Sequence, residues 1–312
     1  MPLSALTQNR WWIYQRERFP LAAHAPLVAA FSFCALAYSA ALRGEPGLPS
    51  LAAFLVAFLG ALLFFLQLRI ADEFKDHAED CRYRPYRPVP RGLIRLPELA
   101  VLGGASALLQ LLLALWLFPA LVGLLVLVWA YLALMSREFF VRDWLKAHPV
   151  TYLWSHMLIM PLIDLYATAC DWLPAAGNVG LHTMPDGLIW FLIASFFNGM
   201  VIELGRKIRA PADEEPGVET YSALWGARRA LAAWLGVLLA TALFALLAAS
   251  RIDALLPVLL ILLSGLLVAA LAAQRFLSRM ASGSGKRFEL IAGLWTLAMY
   301  LSLGAGALFW TP

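Results

Sequence analysis

The densest charge in the chain lies in Arg69-Ile70-Ala71-Asp72-Glu73-Phe74-Lys75-Asp76-His77-Ala78-Glu79-Asp80. Asp72, Asp76 and Asp80 are spaced by four, so a helical continuation stacks three carboxylates along one stripe that drifts by only about 40° per step. Like charges at this spacing repel one another. A divalent cation would neutralise the stripe, and a set of hard oxygen ligands suits Mg2+, which makes Asp72, Asp76 and Asp80 the metal candidates, with Lys75 beside them. Cys81-Arg82-Tyr83-Arg84-Pro85-Tyr86-Arg87-Pro88-Val89-Pro90-Arg91-Gly92 follows. Its arginines would face the phosphates that such a metal carries.

The elements that position these groups are membrane helices. Of the 312 residues, 62% are hydrophobic and 14% charged, and the mean hydropathy is +0.74, a balance that belongs to a polytopic membrane protein. The net charge of +4 is spread over several loops with no long basic tract, so it reads as loop topology and not as nucleic-acid affinity. Cys34, Cys81 and Cys170 lack any CxxC or finger spacing.

Residues 1–20 are polar and basic with interleaved aromatics, an arm that lies at the interface. The run at 21–42 is long enough to span, and small residues around Tyr38-Ser39-Ala40 do not make it a cleaved leader, because a polar arm precedes it. Further spans read at 49–71, 97–117, 119–136, 150–172, 186–205, 225–249, 253–275 and 288–310. The expected architecture is all-α: a single nine-helix membrane domain over 21–312. Of the 24 Lys and Arg, all but Arg43 and Arg251 fall in the N-terminal arm and the loops after the even-numbered spans. That bias places the N-terminus and the charged segment in the cytoplasm, as in a bacterial inner membrane.

Nine helices, the Asp-xxx-Asp-xxx-Asp pattern at the end of the second, and Pro85-Tyr86-Arg87-Pro88-Val89-Pro90-Arg91-Gly92 together resemble the UbiA-type superfamily of intramembrane prenyltransferases. There the first motif is Asn-Asp-xx-Asp-xxx-Asp with a trailing Arg-Pro-Leu-x-x-Gly. Asp72 stands where the Asn does, Asp76 and Asp80 match two carboxylates, and Arg87-Pro88 with Gly92 match the tail. A second aspartate-rich motif is expected after the sixth helix. This chain has Asn198, Glu203, Arg206, Lys207 and Arg209, then Asp213, Glu214 and Glu215, and Gly217 to Ser222 matches the family's ending. Arg206 and Lys207 replace expected carboxylates. Asn198, Glu203, Asp213, Glu214 and Tyr221 are the candidates that this motif leaves.

The resemblance implies transfer of an isoprenyl group from an isoprenyl diphosphate to a small or lipid-like acceptor within the membrane. Mg2+ on Asp72, Asp76 and Asp80, with Lys75, would stabilise charge on the departing diphosphate. Arg69, Arg87, Arg206 and Lys207 would bind its oxygens directly. The altered second motif also suits a catalytically silent relative that binds an isoprenoid or lipid without transferring it. A transporter would show broken helices and polar midplane residues in several spans, whereas here ionisable groups gather at one face. Within the fifth span, His156 and Asp164 share a face, with Asp164 toward the far end. Asn198 and Glu203 also suit interhelical hydrogen bonding.

Overall fold

A computed structural model describes residues 9–177 and 181–309, and among them no strand occurs. The helices are α1 (Arg10–Arg18), α2 (Leu21–Leu42), α3 (Leu51–Lys75), α4 (His77–Tyr83), α5 (Leu96–Leu117), α6 (Leu121–Ser136), α7 (Arg142–Ala147), α8 (Pro149–Met157), α9 (Ile159–Ala176), α10 (Leu188–Arg206), α11 (Tyr221–Trp225), α12 (Ala227–Ala249), α13 (Leu255–Arg279) and α14 (Lys286–Phe309). Eight stretches are long and apolar enough to cross a bilayer, counting α8 and α9 as one span over Pro149–Ala176. The chain is thus an integral, multi-pass membrane protein. The crossing expected at 119–136 is the exception. Its helix α6 has 16 residues, roughly 24 Å at 1.5 Å per residue, short of a hydrocarbon core of about 30 Å.

Local chemistry sets the breaks. Ser50 caps α3 by accepting from the Ala53 amide at 3.2 Å, and Gly177 closes α9 in a left-handed conformation. The fifth span reads as one helix, but it is interrupted at Leu158, three residues before Pro161, whose ring cannot continue the ladder. Gly226, at φ 78°, separates the short α11 from α12, which covers the expected seventh span from Ala227 to its end at Ala249.

Helix α9 is central, packed against α2, α3, α6 and α10, while α14 lies against α2, α10 and α13. Several polar groups inside the bundle are joined across helices, where no water competes. Gln67 of α3 donates to Gln110 (2.8 Å) and Ser106 (3.1 Å) of α5, Gln110 donates to the Gly60 carbonyl (2.9 Å), and Trp129 of α6 donates to Gln110 (3.0 Å). At the far end of the bundle Arg43 pairs with Asp171 at 2.9 Å and Ser39 donates to the same carboxylate at 2.7 Å. That pairing accounts for one of the two basic residues on the side opposite the charged segment.

Candidate functional site

Helix α3 ends at Lys75, and Asp76 takes φ −96°, ψ 4°. The backbone bonds from Asp76 N to Asp72 O (2.9 Å) and from Asp80 N to Asp76 O (2.8 Å) persist, so α4 follows as a bent continuation. The bend gives the three aspartates different surroundings. Asp72 is partly exposed, 3.5 Å from Arg69 and 3.9 Å from Lys75. No hydrogen bond or ion pair among the described residues reaches the Asp76 carboxylate, and burial lifts its pKa, with Lys75 opposing and Asp72, Asp80 and Glu79 adding to the rise. Asp80 is buried: both its oxygens take Arg87 Nη1 at 2.8 and 2.6 Å, and Arg84 Nη1 adds a third contact at 2.6 Å. Two guanidiniums pair with Asp80. Among the described residues no three His, Cys, Asp or Glu side chains converge into a metal-holding group.

Residues outside the aspartate stripe complete this end. Glu73, buried beside the stripe, is paired with Arg18 of α1, which ties the N-terminal arm to α3. Lys75 Nζ donates to Tyr152 Oη (3.1 Å) and lies 3.2 Å from Glu138 Oε1, while Tyr152 donates to the same oxygen at 3.2 Å. His156 Nε2 lies 3.1 Å from the other Glu138 oxygen, and its ring stacks on Tyr152 at 3.9 Å. Burial alone would raise the Glu138 carboxyl, but His156 and Lys75 hold it at about 2. Glu138, Phe139 and Phe140 carry φ values of 49°, 51° and 61°, a left-handed turn made of three residues with side chains. Nothing in their types announces such a turn, so Glu138 is found only from the structure.

The second segment splits. Glu203, at the end of α10, takes Arg206 Nε at 2.6 Å and Lys207 Nζ at 2.9 Å. Lys207 also sits over the Tyr221 ring, 5.6 Å from its centroid, and burial pushes the Tyr221 hydroxyl up. Arg206 lies within electrostatic reach of Asp72. Glu203, Arg206, Lys207 and Tyr221 therefore join the Asp72 end. The other candidates serve the local structure. Asp213 accepts from Ser282 Oγ at 2.5 Å and from the Gly283 amide at 2.7 Å, and these bonds draw its pKa down. Glu214 accepts from Thr220 (2.7 Å) and Ser222 (2.9 Å). Asn198 is buried along α10 and accepts from Thr296 at 3.2 Å, and Asp164 accepts from Tyr300 at 2.8 Å, in the helix interior.

The two loops touch. Arg84 donates to the Gly217 carbonyl at 3.3 Å, and a Cβ on Gly217 would lie 2.5 Å from the Tyr83 ring. At φ 74°, Gly217 meets both a conformational and a steric demand. Gly217→Ala should destabilise the protein by about 1–2 kcal/mol in a detergent unfolding titration, and adding Tyr83→Ala should recover only the steric share. Full recovery in the double variant would mean that backbone strain plays no part.

What remains for a cation is a pair of carboxylates one turn apart, Asp72 partly exposed and Asp76 uncompensated. That set fits Mg2+, which is bound by one or two carboxylates with substrate phosphates completing its shell. Arg69, Arg206 and Lys207 line the same end, whereas Arg87 is committed to Asp80.

The model of the UbiA prenyltransferase family matches residues 30–297. Among solved structures, the apo form of a UbiA homolog from Aeropyrum pernix K1 superposes with a TM-score of 0.64 at 16% identity, covering 90% of this chain and 96% of that one. A structure of digeranylgeranylglyceryl phosphate synthase gives a TM-score of 0.58 at 13% identity, covering 96% and 98%. At these identities the likeness is one of fold. No curated protein matches the sequence.

Proposed function

The chain belongs to the UbiA prenyltransferase family, and from that premise we propose that it moves an isoprenyl group from an isoprenyl diphosphate to a small or lipid-like acceptor in the membrane. The observation that carries this reading is the meeting of the two motif segments at one end of the bundle, where Arg84 is bonded to the Gly217 carbonyl and Arg206 lies within electrostatic reach of Asp72. By the bias of Lys and Arg among the loops, that end faces the cytoplasm.

Asp72 and Asp76 would hold the cation. Bound there, Mg2+ supplies positive charge against the negative charge that builds on the leaving diphosphate. Arg69, Arg206 and Lys207 bind phosphate oxygens, a task that the forked guanidinium suits. Lys75, fixed by Glu138 and Tyr152, keeps its ammonium group beside Asp72. The apolar helices hold the isoprenyl chain and keep water from the allylic cation left by departure of diphosphate.

Lys207→Met keeps the apolar stem and removes the charge. It should weaken binding of the donor diphosphate by about 1.5–3 kcal/mol, the usual worth of a charged hydrogen bond, in a titration of the purified protein. Parent-like binding would make Lys207 a partner of Glu203 and nothing more.

A second reading has its own support. Arg206 and Lys207 share the Glu203 carboxylate, so both cations of the second segment already have an acidic partner without ligand, as in a protein that binds an isoprenoid without transferring it. One experiment separates the two: purified protein is incubated with a panel of labelled isoprenyl diphosphates, with and without Mg2+. Release of diphosphate that depends on Mg2+ supports transfer. Retention of intact donor, with or without Mg2+, supports the binding protein.

A further inference from the structure

Where α13 ends and α14 begins, at the same end of the bundle as Asp72, a cavity of about 720 Å³ opens between the two helices. Arg275, Arg279 and Arg287 border it, Ser284 lies in its wall, and Phe276 and Phe288 are buried at its floor. No carboxylate lines it. Elsewhere at this end Arg18, Arg69, Arg84, Arg87, Arg91, Arg206 and Arg209 are each paired with an acidic side chain, while Arg16, Arg82, Arg137, Arg228 and Arg229 have no ion pair among the described residues but do not line this cavity. Arg275, Arg279 and Arg287 have no ion pair among the described residues. Three guanidiniums around one concavity repel each other unless an anion joins them.

The loop that closes the cavity is held in place. Asp213 accepts from both Ser282 and the Gly283 amide, and Gly285 packs so closely that a Cβ there would lie 2.5 Å from the Ile208 carbonyl oxygen. Beyond the cavity, Leu260, Leu263, Leu267 and Leu271 of α13 are exposed along the membrane-spanning stretch, and α13 is the least enclosed of the eight spanning helices. A ligand seated here meets positive charge at one end and bare hydrocarbon-facing helix at the other. Soluble phosphate would use only the first.

We propose that this cavity binds the phosphodiester headgroup of an anionic phospholipid, whose acyl chains run along the exposed face of α13. The guanidiniums contact the phosphate oxygens, and the anchored loop keeps them close without further ordering. The cavity lies within the usual size range of ligand pockets, about 300–1,000 Å³.

The test compares parent protein with the Arg275→Gln/Arg279→Gln variant, each in nanodiscs of phosphatidylcholine with or without phosphatidylglycerol. Native mass spectrometry after controlled detergent extraction counts retained lipid, and the unfolding midpoint is read in parallel. The parent should retain phosphatidylglycerol and gain midpoint from it. The variant should bind it about thirtyfold more weakly, at roughly 1 kcal/mol for each basic residue. Arg275→Lys/Arg279→Lys, which keeps the charge, should restore most of the retention and shows that the fold tolerates the positions. Equal retention by parent and Gln variant would overturn the site. So would an equal loss in Arg228→Gln/Arg229→Gln, which lies outside the cavity, since that would mark a general surface effect. A midpoint gain from glycerol 3-phosphate in phosphatidylcholine discs equal to that from phosphatidylglycerol would overturn the assignment to lipid.

Discussion

Asp76→Ala should lower Mg2+-dependent release of diphosphate by at least about a hundredfold, the scale seen when one preorganised charged group is removed from a developing transition-state charge. Asp76 stands out because its half-buried carboxylate has no ion pair among the described residues, and its partial burial raises its pKa. A carboxyl raised in the folded state makes the metal-free protein lose stability as pH rises from the ordinary carboxylate range through the raised value. A bound cation reverses that loss. Mg2+ should therefore raise the unfolding midpoint above this window and have little effect below it, where Asp76 is protonated, and in Asp76→Ala the gain above the window should shrink. Glu79→Ala is the control, because Glu79 faces solvent and pairs with Lys146 (2.9 Å) and Arg142 (3.2 Å). Equal damage from Glu79→Ala would remove the reason for singling out Asp76.

Asp80→Ala should act chiefly on stability, at a cost of about 3 kcal/mol, because removing one partner of a buried ion pair strands the others. Arg84 and Arg87 would then lose their shared carboxylate, and the Arg84 to Gly217 contact between the loops would loosen with them. The measurement is a denaturant titration in detergent, set beside diphosphate release at saturating Mg2+. An Asp80→Ala variant that unfolds like the parent but no longer responds to Mg2+ would return Asp80 to the metal-binding role that its spacing suggests.

The difference between these two residues shows where sequence stops being informative. Spacing by four placed Asp72, Asp76 and Asp80 on one helical face, and that inference assumed an unbroken helix. The bend at Asp76 and the reach of Arg87 are tertiary facts that no local pattern encodes. Long apolar runs end at charged residues, so the bundle was readable, and the loop bias in Lys and Arg already suggested that the two motif segments share a face. The acidic run after α10 was misleading in another way. Asp213 and Glu214 look like ligands by type, but short side chains in a tight loop can also satisfy nearby hydroxyl and amide donors, and here they do. Glu138 lies at the opposite extreme. It has no neighbouring motif, and its importance comes from Lys75, Tyr152 and His156, which approach it from other parts of the chain.

The left-handed turn at Glu138–Phe140 bears on the order in which the protein comes apart. Each of its residues adopts a conformation that costs roughly 1–2 kcal/mol relative to the right-handed form. The Glu138 ion pair with Lys75 and its contact with the His156 ring are what offset that cost. The turn is therefore a weak point held shut by a few side chains, and its amides will exchange with solvent hydrogen by local opening well before α6 or α9 unwinds. Such an opening releases Lys75 while the bundle stays whole, so the end of α3 can rearrange around an arriving ligand on a timescale separate from that of global unfolding.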